Sequence, residues 1–203
     1  MPRPPVTDKR REQILDGLFE AMAAQGSDAA SVTEIAARAG RPRGALHYYF
    51  KSKDEMRRAL MRRMGERYLL GMREALAGKD GKPHPEALRR LVKFHFLGTQ
   101  DQTAKYLSVW IDFWGQAPAD PELAELIASV QSQARSIMAD ALTAGGSTAK
   151  GRTLLARATV AQAILEGLVL QWRVCKASEH PFDTPATVEA ANMALKKIAL
   201  EGT

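Results

Sequence analysis

The sequence predicts an all-α fold of about nine helices, with three helices in the N-terminal part and a larger helical domain after them. Three observations carry this. Apolar residues recur at three- and four-residue spacing through most of the 203 residues, and no stretch alternates strictly enough for a half-buried strand. Two "SxxE" stretches, "SVTE" at Ser31 and "SKDE" at Ser52, have the spacing of helix-capping boxes. Gly26, Gly40 and several proline-containing breaks stand where helices would end.

The first helix is expected from about Asp8 to Gln25, with Ile14, Leu15, Leu18, Phe19 and Met22 on one stripe. Ser31 and Glu34 then cap a short helix that reaches Ala39, and Gly40 supplies a tight turn. Pro42 sits where a first helical residue belongs, because its missing N–H would have gone unpaired there, so "PRGALHY" reads as a third short helix. Ser52 and Glu55 open a long fourth helix to about Ala77, followed by a polar break to Pro85. Further helices are expected from about Pro85 to Leu97, Gln102 to Trp114 and Pro121 to Leu142. After the loop "TAGGSTAK" come two more, about Gly151 to Lys176 and Thr187 to Leu200, separated by the "SEHPFDTP" turn.

Composition narrows the function classes. No uninterrupted apolar run approaches the roughly 18 residues of a membrane-spanning helix, and the N-terminus lacks the apolar middle of a secretory signal, so a cytoplasmic protein without a membrane partner is expected. A single cysteine, Cys175, excludes an internal disulfide framework. His47, His84, His95 and His180 are scattered, with no catalytic pair, phosphate-binding glycine loop or metal-ligand spacing; no enzyme, metal site or cofactor is expected.

The net charge of +6 is concentrated. Residues 1–67 hold 14 Lys/Arg against 9 Asp/Glu, whereas the rest of the chain is nearly balanced. A basic segment of this kind suits a polyanion, nucleic acid before membrane, although a solvated basic face has the same composition. The spacing of the second and third helices favours the first reading. Two short helices joined by a glycine turn, with an earlier helix to pack on, form a helix-turn-helix unit whose later helix enters the DNA major groove. Arg43, Gly44 and Ala45 would occupy the first turn of that recognition helix, while Leu46 and Phe50 turn inward. Arg43 has the planar fork that reads guanine, and Ala45 is small enough to approach a thymine methyl. His47, Tyr48 and Tyr49 carry rings able to meet phosphates or sugars, Lys53 starts the next helix where phosphate is favoured, and Arg41 and Lys51 add positive charge. The "KRR" run, Lys9 to Arg11, fits backbone tracking and plain solvation equally well.

The stretch "SVTEIAARAGRPRGALHYYFKSKDEMRRAL" resembles the DNA-binding signature of TetR-type transcriptional regulators, from about Thr7 to Leu60. That resemblance implies a DNA-binding domain over 1–55 and an effector-binding and dimerisation domain over 56–203. It gives a DNA-facing set of Thr33, Arg41, Arg43, Gly44, Ala45, His47, Tyr48, Tyr49 and Lys53. Arg41 stands where an apolar residue is usual, Pro42 where a small hydroxyl residue is usual, and His47 where a tyrosine is common; no phosphate contact is carried over to Pro42.

In the remaining two-thirds, "YLSVWIDFW" places Tyr106, Val109, Trp110 and Phe113 on one helix side with Leu107, Ile111 and Trp114 beside them. Such a surface is ordinary core or the wall of an apolar cavity. The helix from Gly151 is apolar nearly all round, which asks for burial on two sides, one of them against a partner chain. The segment from Trp110 through "ILEGLVLQWR" is also similar to the ligand domain of choline-responsive betaine-operon repressors. The resemblance implies a small-molecule effector site, for which Phe94, His95, Trp110, Phe113, Trp114 and Glu166 are the candidates, and a homodimer through the last two helices. The expected protein is thus a repressor on near-palindromic double-stranded DNA. Its rivals are an enzyme with a basic helical cap and a dimerisation module that reads no sequence.

Overall fold

Side-chain and backbone capping fixes the first helices in the computed structural model, which describes residues 6–26, 30–97, 101–178 and 180–200. Helix α1 (Val6–Gln25) ends at Gly26, whose φ of 81° closes the turn. Ser31 caps α2 (Val32–Arg38) by accepting the Glu34 N–H at 3.2 Å. The Glu34 carboxylate accepts bonds from Arg38 and Gln25 as well. At the other end of α2, Gly40 adopts φ 62°, its N–H bonds to Ala37 O, and the Arg41 N–H bonds to Ala36 O, which is a Schellman closure.

Helix α3 (Arg43–Tyr49) begins one residue later than its proline suggests. Pro42 has ψ 141° and stands at the cap, because its carbonyl accepts the Ala45 N–H while its own backbone is still extended. Helix α4 (Lys53–Leu76) starts from Ser52, which accepts the Glu55 N–H at 3.1 Å. Beyond it lie α5 (Ala87–Leu97), α6 (Asp101–Gln116), α7 (Pro121–Ala144), α8 (Gly151–Ala177) and α9 (Thr184–Leu200). Helices α6 and α9 are longer than expected. Among the described residues there is no strand, only one bridged pair, Ala77 with Pro83.

The chain forms two compact units. The first takes in the described residues up to Gly65 together with Asp101–Ala128, and α1 packs there on α2, α3 and α6. Ile14, Leu18, Ile35, Leu46, Phe50, Leu60, Val109 and Phe113 are buried in it. Gly17 lets α1 and α2 approach: a Cβ at that position would lie 2.7 Å from Ile35 O and 2.8 Å from Ala39 N. Polar ties add direction. Lys105 meets Glu20 at 2.7 Å, the Tyr106 hydroxyl donates to Met64 O, and Arg58 binds Asp120 at 3.0 Å and Glu122 at 2.7 Å. Burial pushes the Asp120 carboxyl up, but the bonds from Arg58 and from the Leu123 N–H outweigh it and hold it below its ordinary value.

The second unit comprises Glu66–Gln100 and the described residues from Ser129 onward. Here α5, α8 and α9 pack on one another. By length and composition alone α8 could cross a membrane, because an 18-residue window within it has a mean hydropathy of 1.4 although no uninterrupted apolar run is that long. Charged and polar residues interrupt it, and Ala158, Ala161, Gln162, Leu165, Val169 and Trp172 form its buried face. The basic surplus of residues 1–67 is nearly cancelled within the first unit by the acidic segment 101–128, and the second unit contains the long apolar helix.

Candidate nucleic-acid interface and effector region

Helix α3 is too short to be stable alone and takes its place from its neighbours. Leu46 and Phe50, each 1% exposed, anchor its inner side to the first unit. Its outer side presents Arg43, Gly44, His47 and Tyr48, all exposed, the last at 81%. Tyr49 and Ala45 are half-buried, and Tyr48 meets Tyr49 edge-on with ring centroids 5.0 Å apart. Thr33 is exposed on α2, and Lys53 is half-buried in the first turn of α4. Arg41 is half-buried and turned toward α1, where its guanidinium donates to Gln13 Oε1 at 2.6 Å.

The basic run at the start of α1 also divides. Lys9 is exposed, whereas Arg11 is folded back over the Phe50 ring, 4.1 Å from its centroid, and donates to Tyr49 O at 2.5 Å. The outward face of α3 therefore offers one guanidinium, one imidazole and one phenol, able to donate to base edges or phosphate oxygens. Nothing in the sequence pattern singled out Arg11 or Gln13 as partners of α3.

The candidate effector residues lie in both units. Trp110, Phe113 and Trp114 are on α6 in the first. Phe113 is fully buried, Trp110 stacks on Tyr106 at 6.3 Å, and Trp114 is 45% exposed. Phe94, His95 and Glu166 belong to the second. The half-buried His95 ring places Nδ1 2.8 Å from Leu91 O, an atom that only accepts, so Nδ1 carries the proton and Nε2 accepts from the Tyr68 hydroxyl at 3.0 Å. Burial lowers the His95 pKa, and its neutral form is the one this pairing requires. Phe94 packs against Tyr68 and against Gly71, where a Cβ would come within 2.3 Å of the ring.

Glu166 is part of a polar cluster between α7 and α8. Its Oε1 accepts from Gln131 Nε2 at 3.0 Å and from Gln162 Nε2 at 2.9 Å, and Gln162 Nε2 also reaches Gln131 Oε1. Gln162 Oε1 is buried with no hydrogen-bond partner among the described residues. The cluster is rich in acceptors and short of donors, as a site for a cation or hydroxyl donor would be. Tyr68 and Gln131 were not legible as members of this region, because each is defined by a partner on a different helix.

Comparison with known proteins agrees with this architecture. Residues 14–60 match the family described as bacterial regulatory proteins, tetR family, and residues 84–196 match the BetI-type transcriptional repressor, C-terminal. An HTH-type transcriptional regulator BetI from Stenotrophomonas maltophilia is 34% identical over 130 residues, covering 62% of this chain and 63% of that protein. The alignment thus takes in less than two-thirds of that relative's own length. A transcriptional regulator from Rhodococcus sp. Rha1 superposes with a TM-score of 0.77 at 26% identity, over 95% of this chain and 96% of that one. A putative transcriptional regulator from Saccharomonospora viridis, solved in complex with choline, shares the fold with a TM-score of 0.73 at 21% identity, over 96% and 97% of the two chains. With more than half of its residues inside the second of the two family matches, the chain belongs to the TetR family of bacterial regulatory proteins and has a BetI-type C-terminal region.

Proposed function

We propose that this protein is a homodimeric, cytoplasmic transcriptional repressor that holds a near-palindromic operator through two copies of α3 and leaves it when a small molecule binds. The observation that carries the reading is the outer face of α3. Arg43, Gly44, His47 and Tyr48 stand in solvent on a helix whose inner face is fully occupied. Residues 1–55 supply the DNA contacts, with Thr33, Ala45, Tyr49 and Lys53 flanking that face, and residues 56–203 supply effector binding and dimerisation.

The seam on α8 supports the dimer. Ala156, Val160, Ala163, Leu170 and Val174 are exposed at alternating four- and three-residue steps, with Gly167 half-buried in the same row. That is the spacing of a helix meant to meet another helix. On α9, Met193 at 63% and Leu200 at 41% add exposed apolar surface.

The effector is a small amphipathic cation, for which the Glu166 cluster of the second unit supplies acceptors. Phe94, in the same unit as that cluster, offers a ring worth about 0.5–2 kcal/mol to an ammonium group in contact with it, while His95 in that unit and Trp110, Phe113 and Trp114 in the first unit are further candidates. Choline is bound by the Saccharomonospora viridis regulator of the same fold. Binding shifts the population toward an arrangement in which the two α3 helices no longer match half-sites about 34 Å apart.

The test uses the full chain. Duplexes enriched from a random pool should contain a symmetric site, bind at least two chains and release them when choline is added. Enrichment of no sequence, or binding of single chains to single half-sites, would overturn the repressor reading.

A further inference from the structure

Three contacts join the polar edge of α1 to the two ends of α3. At the N-terminal end, Arg41 Nη2 donates to Gln13 Oε1 at 2.6 Å, and the same oxygen takes a bond from Arg10 Nη1 at 3.2 Å. At the C-terminal end, Arg11 Nη1 donates to Tyr49 O at 2.5 Å while its guanidinium lies 4.1 Å over the Phe50 ring. Glu55 steadies this arginine from 4.0 Å and accepts the Lys51 N–H at 2.7 Å.

A helix of seven residues is only about 10 Å long and cannot hold its own pitch. Leu46 and Phe50 set its distance from the core, but apolar contact has no preferred direction. Hydrogen bonds do, and the carbonyls of a helix's last turn lack partners within the helix. Arg11 supplies one such partner, and its planar fork also stacks on Phe50 without strain.

We propose that Arg11, Gln13 and Arg41 are positioning residues for operator recognition, fixing the pitch of α3 at both ends without touching DNA. The inference rests on the reading that α3 enters the major groove. A base contact tolerates little tilt, because donor and acceptor must meet at about 3 Å in line. Phosphate contacts through long flexible side chains survive such a tilt, so losing the brace lowers selectivity and spares general affinity.

The experiment compares the full-length protein on two duplexes, one selected from a random pool by the unaltered chain and one scrambled, across a range of salt concentrations. Three variants separate the roles. Arg11→Lys keeps the charge and loses the fork, Arg11→Met loses both, and Gln13→Ala removes the Arg41 acceptor without changing net charge. Each should lower the ratio of selected to scrambled affinity by about tenfold, the discrimination of roughly one bidentate base contact, with the salt slope unchanged. If Arg11→Lys kept the full ratio while Arg11→Met lowered the salt slope by about 0.9, Arg11 would be a phosphate contact and the proposal wrong. A ratio unaltered by Gln13→Ala would remove the N-terminal brace. Circular dichroism and melting curves show that the variants are folded, and Gln13→Ala, the mildest, keeps the test decisive if Arg11→Met is not. An unaltered chain with no preference for its selected duplex would sink the reading of α3 and the brace together; a strong preference kept by all three variants would sink the brace alone.

Discussion

Helices α3 and α8 both expose surface that the packing of one chain does not use, and they expose opposite chemistry. The free side of α3 is a guanidinium, an imidazole and a phenol; the free side of α8 is Val160 at 53%, Leu170 at 46% and Val174 at 59% exposure, with alanines between. Exposure alone names no partner. The residues on the exposed side do: charge and rings fit a polyanion, whereas an apolar seam at coiled-coil spacing fits a second apolar helix. The two sides also differ in how they are supported. A seam needs only a straight helix behind it, but a seven-residue reading helix depends on residues from elsewhere in the chain.

The largest expected effect is a charge placed in the seam. Leu170→Glu leaves the single chain folded, since the position is solvent-facing, but buries an unpaired carboxylate in each half of a dimer. Association should weaken by about 3 kcal/mol or more, over a hundredfold, as read by sedimentation equilibrium. Unchanged sedimentation would mean that the seam is not where two chains meet. Next comes Gly17→Ala, which forces a methyl group against Ile35 O and Ala39 N, atoms of backbone that cannot rotate away. The melting midpoint of the first unit should fall by the equivalent of about 3 kcal/mol, at the upper end of overpacking costs. The same change at Gly44, which has open space around it, should alter stability far less.

Smaller effects sharpen the reading face. Arg43→Ala should cost about 1–3 kcal/mol and relax preference at one base pair, measured by competition among single-base operator variants. Lys53→Ala should instead weaken all sequences alike and reduce the salt slope by about 0.9. Tyr48→Ala, at 81% exposure, should leave thermal stability within about 0.5 kcal/mol while lowering DNA affinity. If Tyr48→Ala destabilised the fold as much as a core substitution, the outer face would be structural and the contrast with α8 would collapse.

What was legible follows from distance along the chain. Ser31, Gly40 and Ser52 act on neighbours three or four residues away, so their chemistry could be read directly, and the helix-turn-helix emerged from it. Pro42 was misplaced by one residue because a proline suits the cap as well as the first helical position. Arg11 and Arg41 looked like free cations, since their partners lie 38 and 28 positions away and no periodicity links them. Gly17 carried a signal that was available: glycine inside a helix is unfavourable by about 1 kcal/mol and asks for a close neighbour. The acceptor cluster at Glu166 was half visible. Gln162 and Glu166 share an α8 face four residues apart, but Gln131, which completes it, comes from α7.

The smallest effect concerns His95, and it separates the second unit from the first. Burial lowers the His95 pKa below its ordinary value near 6.5, and the neutral ring accepts from Tyr68. In the unfolded chain the ring protonates at its ordinary value, so between the two values the unfolded state binds more protons, and stability falls as pH drops through that window. Melting of the full chain should therefore shift downward on acidification from neutral pH, and His95→Gln should flatten that dependence. Tyr68→Phe should lower stability at neutral pH, because it leaves Nε2 without its donor, and should reduce the acid sensitivity only in part, since burial still opposes protonation. An acid response left unchanged by His95→Gln would mean that burial of this ring does not set the acid limit of the second unit.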